Sequence, residues 1–208
     1  MTAKTAKAKR AFWLKQLHTW HWVSSAVCLI GMLLFAITGI TLNHAGAVES
    51  APVISERTAT LPAPLLATLN ATKGDKAAVP ADVRKWVDDE ISVNLGGKPG
   101  EWSEDEVYIG LPRPGGDAWL SIDRESGEIL YELTDRGWIS YFNDLHKGRN
   151  AGEAWSWFID IFSVATLAFC LTGLVLLQLH ARNRPMTWPT VGLGLIVPAL
   201  IAILFIHM

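Results

Sequence analysis

The sequence predicts an α-helical membrane protein with three transmembrane helices and a small α+β domain inserted between the first and second helices. Three observations support this fold class. Apolar runs occupy residues 23–42, 154–179 and 188–206, and each matches the roughly 20 helical residues that cross a hydrocarbon core of about 30 Å. All 20 acidic residues lie between positions 49 and 160. The stretch between the first two runs alternates helix-like and strand-like patterns, which is typical of a folded polar domain.

These patterns divide the chain into six segments. A cleaved signal peptide is the alternative for the first apolar run, but the run is longer than a signal core and 22 residues precede it. From the N-terminus, the predicted segments are a cytoplasmic or interfacial segment at 1–22, a first transmembrane helix at 23–44, an extracytoplasmic domain at 45–153, a second transmembrane helix at 154–180, a cytoplasmic loop at 181–187 and a third transmembrane helix at 188–207.

The basic residues predict the orientation of the helices. Five Lys and Arg residues and no acid precede the first apolar run. The loop at 181–187 contains Arg182 and Arg184 and again no acid. Both segments are therefore expected on the cytoplasmic side by the positive-inside rule. We expect a protein of the bacterial inner (cytoplasmic) membrane with a cytoplasmic N-terminus and a periplasmic domain at 45–153.

The domain at 45–153 reads as a short helix, an amphipathic helix and three strands. Prolines 52, 62 and 64 suggest an irregular start to the domain. So few elements leave little room for a large active-site pocket, so an enzyme site within this domain alone is not expected. The predicted elements are a helix at 64–69, a helix at 80–91 with Val83, Trp86, Val87 and Ile91 on one face, and strands at 106–111, 117–123 and 128–133.

Several classes of function have no support in the sequence. The patterns of nucleotide-binding loops, zinc proteases, serine hydrolases and EF-hands are missing from the chain. The basic residues form no patch interleaved with aromatic residues, and the middle of the chain is acidic, so no nucleic-acid partner is expected. Cys28 and Cys170 both lie in apolar runs, which excludes a disulfide framework and a cysteine-based metal site in the polar domain.

The first and second apolar runs share an internal repeat. Residues 35–40 and 169–174 both match F-x-[IL]-T-G-[IL]. Each motif is preceded by Leu-His (Leu17-His18 and Leu145-His146) and then W-x-W, and a histidine follows each. Chance agreement among common membrane residues is the alternative, but four features in one order favour a duplication. Because the two helices cross in opposite directions, equivalent residues would lie at opposite membrane faces.

All the histidines fall near a predicted membrane face, three to a face. Antiparallel helices with histidines at matching depth provide both axial ligands of a low-spin haem iron, which is suited to electron transfer. The alternative is that these histidines are interfacial anchors and that the nearby glycines only allow close packing. The candidate cofactor-binding residues are His18, His21, His44, His146, His180 and His207.

Three segments of the chain resemble the PepSY-associated transmembrane (PepSY-TM) family. They are HWVSSAVCLIGMLLFAITGITLNHAG, SIDRESGEIL and NDLHKGRNAGEAWSWF, and the resemblance extends from about residue 12 to residue 207. It implies that residues 45–153 form a PepSY-like domain. Larger members of this family include inner-membrane ferric-siderophore reductases that carry haem between transmembrane histidines.

The resemblance also implies a ligand set. His44 of LNH, His146 of LHKGR and His180 of LQLH match the family's positions for haem iron, and His21 or His18 would complete the site near the N-terminus. One or two bis-histidine haem b groups are expected, because no C-x-x-C-H motif for covalent attachment occurs. The chain is shorter than those reductases, so a homodimer is a candidate assembly.

Two hypotheses of function follow. The first is a haem-binding electron-transfer protein, and a candidate haem-dependent ferric reductase, that reduces a ferric siderophore or a periplasmic acceptor for iron acquisition. The second is a non-enzymatic, membrane-anchored PepSY regulator that binds a peptide or protein along a strand edge, or an accessory subunit of an iron transporter. Membrane lipid is a partner under both hypotheses.

Overall fold

Three helices of the computed structural model are long and apolar enough to cross a membrane. The structure describes residues 3–47 and 51–206. Helix α1 (Ala3–Asn43) includes a candidate span of 37 residues, Lys7–Asn43. Helix α5 (Glu153–His180) is a candidate span of 28 residues. Helix α6 (Thr187–Ile201) continues through a π-helical turn to Ile206 and gives a third span of 20 residues.

The chain divides into two units. The first unit comprises the chain up to Leu34 and from Phe158 onward, and the second is Phe35–Trp157. In the first unit no side chain of α5 or α6 is buried by the described residues, and these exposed apolar surfaces are of the kind that lipid covers.

Helices α1 and α5 meet along a seam in the first unit. A row of less exposed residues of α1 recurs at alternating intervals of three and four, so these residues share one face of the helix. A Cβ added to Gly31 would overlap the ring of Phe162, so the glycine allows the helices to approach at this point. The seam residues of α1 in this unit are Leu14, Leu17, His21, Ser24, Cys28 and Gly31.

The second unit contains a five-stranded antiparallel sheet with strand order β1-β5-β4-β3-β2. One face of the sheet packs on two helices, and alternate strand residues such as Ile109, Leu120 and Ile129 are buried there against Val83 and Val87. The elements are β1 (Val53–Thr60), α2 (Ala63–Asn70), α3 (Ala81–Ile91), β2 (Glu101–Trp102), β3 (Glu106–Gly110), β4 (Gly116–Asp123), β5 (Glu128–Asp135) and α4 (Gly137–Lys147).

Most of the predicted elements of this domain are confirmed. The three predicted strands correspond to β3, β4 and β5, and the two predicted helices correspond to α2 and α3, all within two residues at each end. The prediction of an irregular start was wrong, because Val53–Thr60 pairs along its whole length with β5. Prolines 52 and 62 flank this strand rather than interrupt it, as suits an edge strand. Helix α4 was not predicted.

Candidate functional site

One repeat motif surrounds the imidazole of His21 in the first unit. His21 comes from α1, and Phe169, Thr172 and Gly173 come from α5. The His21 Nδ1 lies 3.0 Å from the Thr172 Oγ1. The imidazole stacks on the Phe169 ring at a centroid distance of 4.8 Å and an angle of 16°. A Cβ on Gly173 would lie 3.3 Å from the His21 Cε1, so this glycine leaves room for the imidazole. We call these four residues the His21 site.

The other repeat motif surrounds the imidazole of His146 in the second unit. His146 comes from α4, and Phe35, Thr38 and Gly39 come from α1. The His146 Nδ1 lies 2.7 Å from the Thr38 Oγ1. The two rings of His146 and Phe35 have a centroid distance of 4.9 Å at an angle of 41°. A Cβ on Gly39 would lie 3.5 Å from the His146 Cε1. We call these four residues the His146 site.

The two sites therefore share one set of contacts. In each, a histidine from another element meets the Phe, Thr and Gly of the F-x-[IL]-T-G-[IL] motif. In the structure His21 is the counterpart of His146, whereas the internal sequence repeat aligned His18 with His146. His18 lies one turn earlier, is exposed, and its Nδ1 lies 2.8 Å from the carbonyl oxygen of Leu14 in its own helix.

The hydrogen-bond partners of His21 and His146 favour a proton on the Nδ1 of each imidazole. The Thr172 hydroxyl donates its single proton to the carbonyl oxygen of Ala168 at 2.6 Å. In that arrangement the Thr172 oxygen accepts from His21, and the Nδ1 of His21 is then the protonated nitrogen. The Thr38 hydroxyl has the same two partners, the carbonyl oxygen of Phe35 at 3.2 Å and the Nδ1 of His146 at 2.7 Å, so the same arrangement is available there.

The remaining described histidines have the same tautomer. The Nδ1 atoms of His18, His44 and His180 lie 2.8, 3.0 and 2.8 Å from carbonyl oxygens of their own helices. A carbonyl only accepts, so each Nδ1 donates. In this tautomer the lone pair is on Nε2, the arrangement of a metal-binding histidine whose other ring nitrogen is held by an acceptor.

A cavity of 590 Å³ lies beside the His21 site within the first unit. His21 and His180 both line this cavity, and the remaining lining is almost entirely apolar. His21 is half-buried and His180 is exposed. The ring of His18 lies 6.4 Å from that of His180, edge to face, but His18 does not line the cavity. The other lining residues are Phe169, Cys170, Gly173, Leu174, Leu176 and Leu177.

The second unit brings fewer histidines together. His44 follows the motif residue Thr38 on α1 and is exposed. Among the described residues no hydrogen bond or ring contact joins His44 and His146. His207, the remaining sequence candidate, lies outside the described residues.

Sequence reasoning missed the polar residues that hold α4. Asn143 and Asp144 are 7% and 8% exposed. The Thr41 hydroxyl donates to the Asn143 Oδ1 at 2.7 Å, and the Gly115 N–H donates to the Asp144 Oδ2 at 2.9 Å. The sequence signal for these contacts was the Asn-Asp pair directly before Leu-His. Polar side chains that are buried in a helix require hydrogen-bond partners of this kind.

The chemistry of the donors fits haem. Among the described residues, no group of three or more His, Cys, Asp or Glu side chains is arranged to hold a metal ion. Haem iron needs only two protein ligands, because the porphyrin supplies four nitrogens. His21 and His180 line one apolar cavity, and an imidazole Nε2 is a donor of the kind that haem iron takes.

Comparison with known proteins gives one family. No curated protein and no solved structure matches the chain significantly. The family model described as "Putative PepSY_TM-like" matches residues 12–207. This match covers nearly the whole chain, including both repeat motifs and the domain between them. Together with its three apolar helices, the match shows that the chain is a membrane protein and belongs to the PepSY_TM-like family.

Proposed function

We propose that this protein is a haem b-binding electron-transfer protein of the bacterial inner membrane that reduces a ferric complex, such as a ferric siderophore, or a periplasmic acceptor during iron acquisition. The observation that carries the proposal is the duplicated imidazole site, in which a threonine hydroxyl lies within hydrogen-bond distance of Nδ1 and Nε2 is available for a ligand bond. An interfacial anchor does not require its ring to be held in this way at two equivalent positions.

In this proposal His21 and His180 hold one haem iron. Bound haem supplies a centre that gains and loses one electron. The Thr172 hydroxyl fixes the orientation of the His21 ring, and the hydrogen bond from Nδ1 makes Nε2 a more basic ligand. The apolar lining of the cavity lowers the polarity around a bound group and so influences its reduction potential. His146 and His44 are the candidate ligands for a second haem.

The proposed orientation places the N-terminus in the cytoplasm and residues 45–153 in the periplasm. The five basic residues before the first apolar run and the arginines at 182 and 184 support it. A periplasm-active reporter fused after Gly100 should be active, and one fused at Arg184 should be silent. An active fusion at Arg184 would overturn this orientation.

An absorption spectrum tests the haem directly. The full chain, purified in detergent after expression with haem supply, should show the sharp α and β bands of low-spin haem b after dithionite reduction. Carbon monoxide should leave the reduced spectrum unchanged, because both axial positions are occupied. A colourless protein would overturn the proposal, and a rapid carbon monoxide shift would overturn bis-histidine ligation.

Reoxidation tests the acceptor. The dithionite-reduced protein is freed of excess reductant and mixed anaerobically with cationic, neutral and anionic ferric chelates of similar potential. Each ferric chelate accepts one electron and becomes ferrous. Because all 20 acidic residues lie at 49–160, the cationic chelate should react fastest at low salt, and added salt should reduce its advantage. If no chelate reoxidises the protein, the reductase proposal fails and a protein acceptor remains.

One observation favours a second candidate function, a membrane-anchored binding module. Strand β1 is an edge of the sheet, and seven of its eight residues are exposed. An extended peptide can add to such an edge through main-chain hydrogen bonds. In this case the purified protein would be colourless, and peptide binding would protect the amides of β1 from hydrogen exchange.

A further inference from the structure

Helix α4 presents an exposed aromatic face. Trp138 is 76% exposed, Phe142 48% and Ile139 44%. The rings of Trp138 and Phe142 lie one turn apart, with centroids 6.3 Å from each other, and Tyr141 packs edge-on against both at 5.8 and 5.6 Å. This is a contiguous apolar surface on a helix of 11 residues, and such surfaces usually contact a partner.

The other face of α4 is held in place. Asn143 accepts a hydrogen bond from Thr41, and Asp144 accepts one from the N–H of Gly115. A Cβ added to Gly115 would lie 2.7 Å from the Cα of Tyr141, so the loop before β4 packs directly on the α4 backbone. These contacts prevent the helix from turning its aromatic face inward.

The position of α4 identifies what covers this face. Within the second unit, α4 packs on Thr38 and Thr41, which lie in the last two turns of the candidate span Lys7–Asn43. The end of a span lies at the membrane surface. A helix fixed beside it is therefore at the depth where Trp and other aromatic side chains accumulate.

The charges near α4 match a lipid surface. Lys147 ends the helix and Arg149 follows it, and both are exposed. Asp144 is buried, and the carboxylate of Asp135 accepts a hydrogen bond from the N–H of Gly137 at the start of the helix. The exposed end of α4 is thus basic, unlike the rest of the domain, and basic residues beside an apolar helix face favour anionic phospholipid.

We propose that α4 is a membrane-surface helix. Trp138, Ile139 and Phe142 insert at the boundary between headgroups and acyl chains, and Lys147 and Arg149 contact lipid phosphates. This contact holds the helix that carries His146 at one depth in the bilayer. The proposal does not depend on haem, so it stands or falls separately from the proposed function.

Spin labels test where the face lies. The full chain with Cys28→Ala and Cys170→Ala receives one label at Phe142→Cys or Ile139→Cys and is placed in nanodiscs containing anionic phospholipid. Lys85→Cys, on the exposed side of α3, is the matched control. Labels at 142 and 139 should be several-fold more accessible to oxygen, and less accessible to a water-soluble nickel chelate, than the label at 85. Accessibility equal to that of the control would place the face in water and overturn the proposal. Immobile labels shielded from both reagents would assign it to a second copy or another protein, which also overturns it.

Hydrogen exchange tests the lipid charge on the unmodified chain. Amides of Gly137–Lys147 should exchange at least threefold more slowly in anionic nanodiscs than in zwitterionic ones, whereas those of Ala81–Ile91 should not change. The double variant Lys147→Gln/Arg149→Gln should lose this difference. Equal exchange of α4 in both lipids would contradict the assignment of phosphate contacts to these two residues.

Discussion

The His21 site and the His146 site contain the same motif but receive their imidazoles from different kinds of element. His21 lies within a long apolar helix, and the contacts of its site are all between α1 and α5. His146 lies on a short helix that follows the sheet, and buried polar contacts hold that helix. The comparison teaches that a repeat can preserve the surroundings of an imidazole while the support of that imidazole changes from helix packing to a folded domain.

Because the two sites have different supports, a variant that weakens one support should leave the other site intact. We expect the largest loss of stability from Gly115→Ala. Gly115 has φ +74°, and its added Cβ would meet the Tyr141 backbone. The left-handed conformation costs about 1–2 kcal/mol and the overlap about 1–3 kcal/mol more. Chemical denaturation of the full chain, with hydrogen exchange of α4 as a local probe, measures the loss.

Gly137→Ala is the matched control for this variant. Gly137 has φ +80° and no atom within 4 Å of an added Cβ, so it experiences the conformational strain without the overlap. We expect the loss in Gly137→Ala to be the smaller one. Equal losses of stability in the two variants would show that the loop between β3 and β4 does not support α4. A perturbed His21 site in Gly115→Ala would contradict the separation of the two supports.

Gly31→Ala should break the other support. Its Cβ would overlap Phe162, where α1 and α5 approach in the first unit. Overpacking of this kind costs about 1–3 kcal/mol. Thermal unfolding should show the loss, and Gly192→Ala, which has open space around the added Cβ, should not. An unchanged thermal unfolding midpoint for Gly31→Ala would show that α1 and α5 can move apart at Gly31 without loss of stability.

The threonines test the equivalence of the sites. Thr172→Val or Thr38→Val removes the hydrogen-bond partner of the imidazole Nδ1, and the loss of such a bond costs about 0.5–1.5 kcal/mol. Nitrogen NMR of histidine-labelled protein should show that His21 or His146, respectively, loses its pure Nδ1–H tautomer. The Thr→Ser variants should restore it. If neither valine variant changes the tautomer, the hydroxyl does not determine it.

The smallest effect concerns the turn between β4 and β5, remote from either motif in sequence. The backbone N–H and then the hydroxyl of Ser126 donate to Asp123 and hold the pKa of its carboxyl below the usual value. The stabilisation is therefore fully present above the unfolded pKa of about 3.9 and is lost as pH falls through the lower folded value. Asp123→Asn should flatten this acid dependence of unfolding without changing either imidazole site. If the variant loses stability at low pH as the wild type does, Asp123 does not contribute to the acid dependence of unfolding.

The predictable parts of the fold are those with a clear sequence period. Long apolar runs and alternating strands identified the candidate spans and β3 to β5, and the duplicated Thr-Gly motif identified the residues that contact His21 and His146. Strand β1 was missed because it is exposed on both faces and has no alternating pattern. Helix α4 was missed because buried Asn143 and Asp144 make its sequence look polar. The choice between His18 and His21 depends on a tertiary contact with Thr172, which one turn of helix does not reveal.

The most direct test of the central claim is haem content and low-spin electron paramagnetic resonance of three single variants. The account predicts that His21→Ala loses the haem held with His180, and that His146→Ala loses a second haem if one is present. His18→Ala should retain the wild-type signal. Wild-type haem in both His21→Ala and His146→Ala, or loss of haem in His18→Ala instead of His21→Ala, would contradict the assignment of the threonine-held imidazoles as ligands.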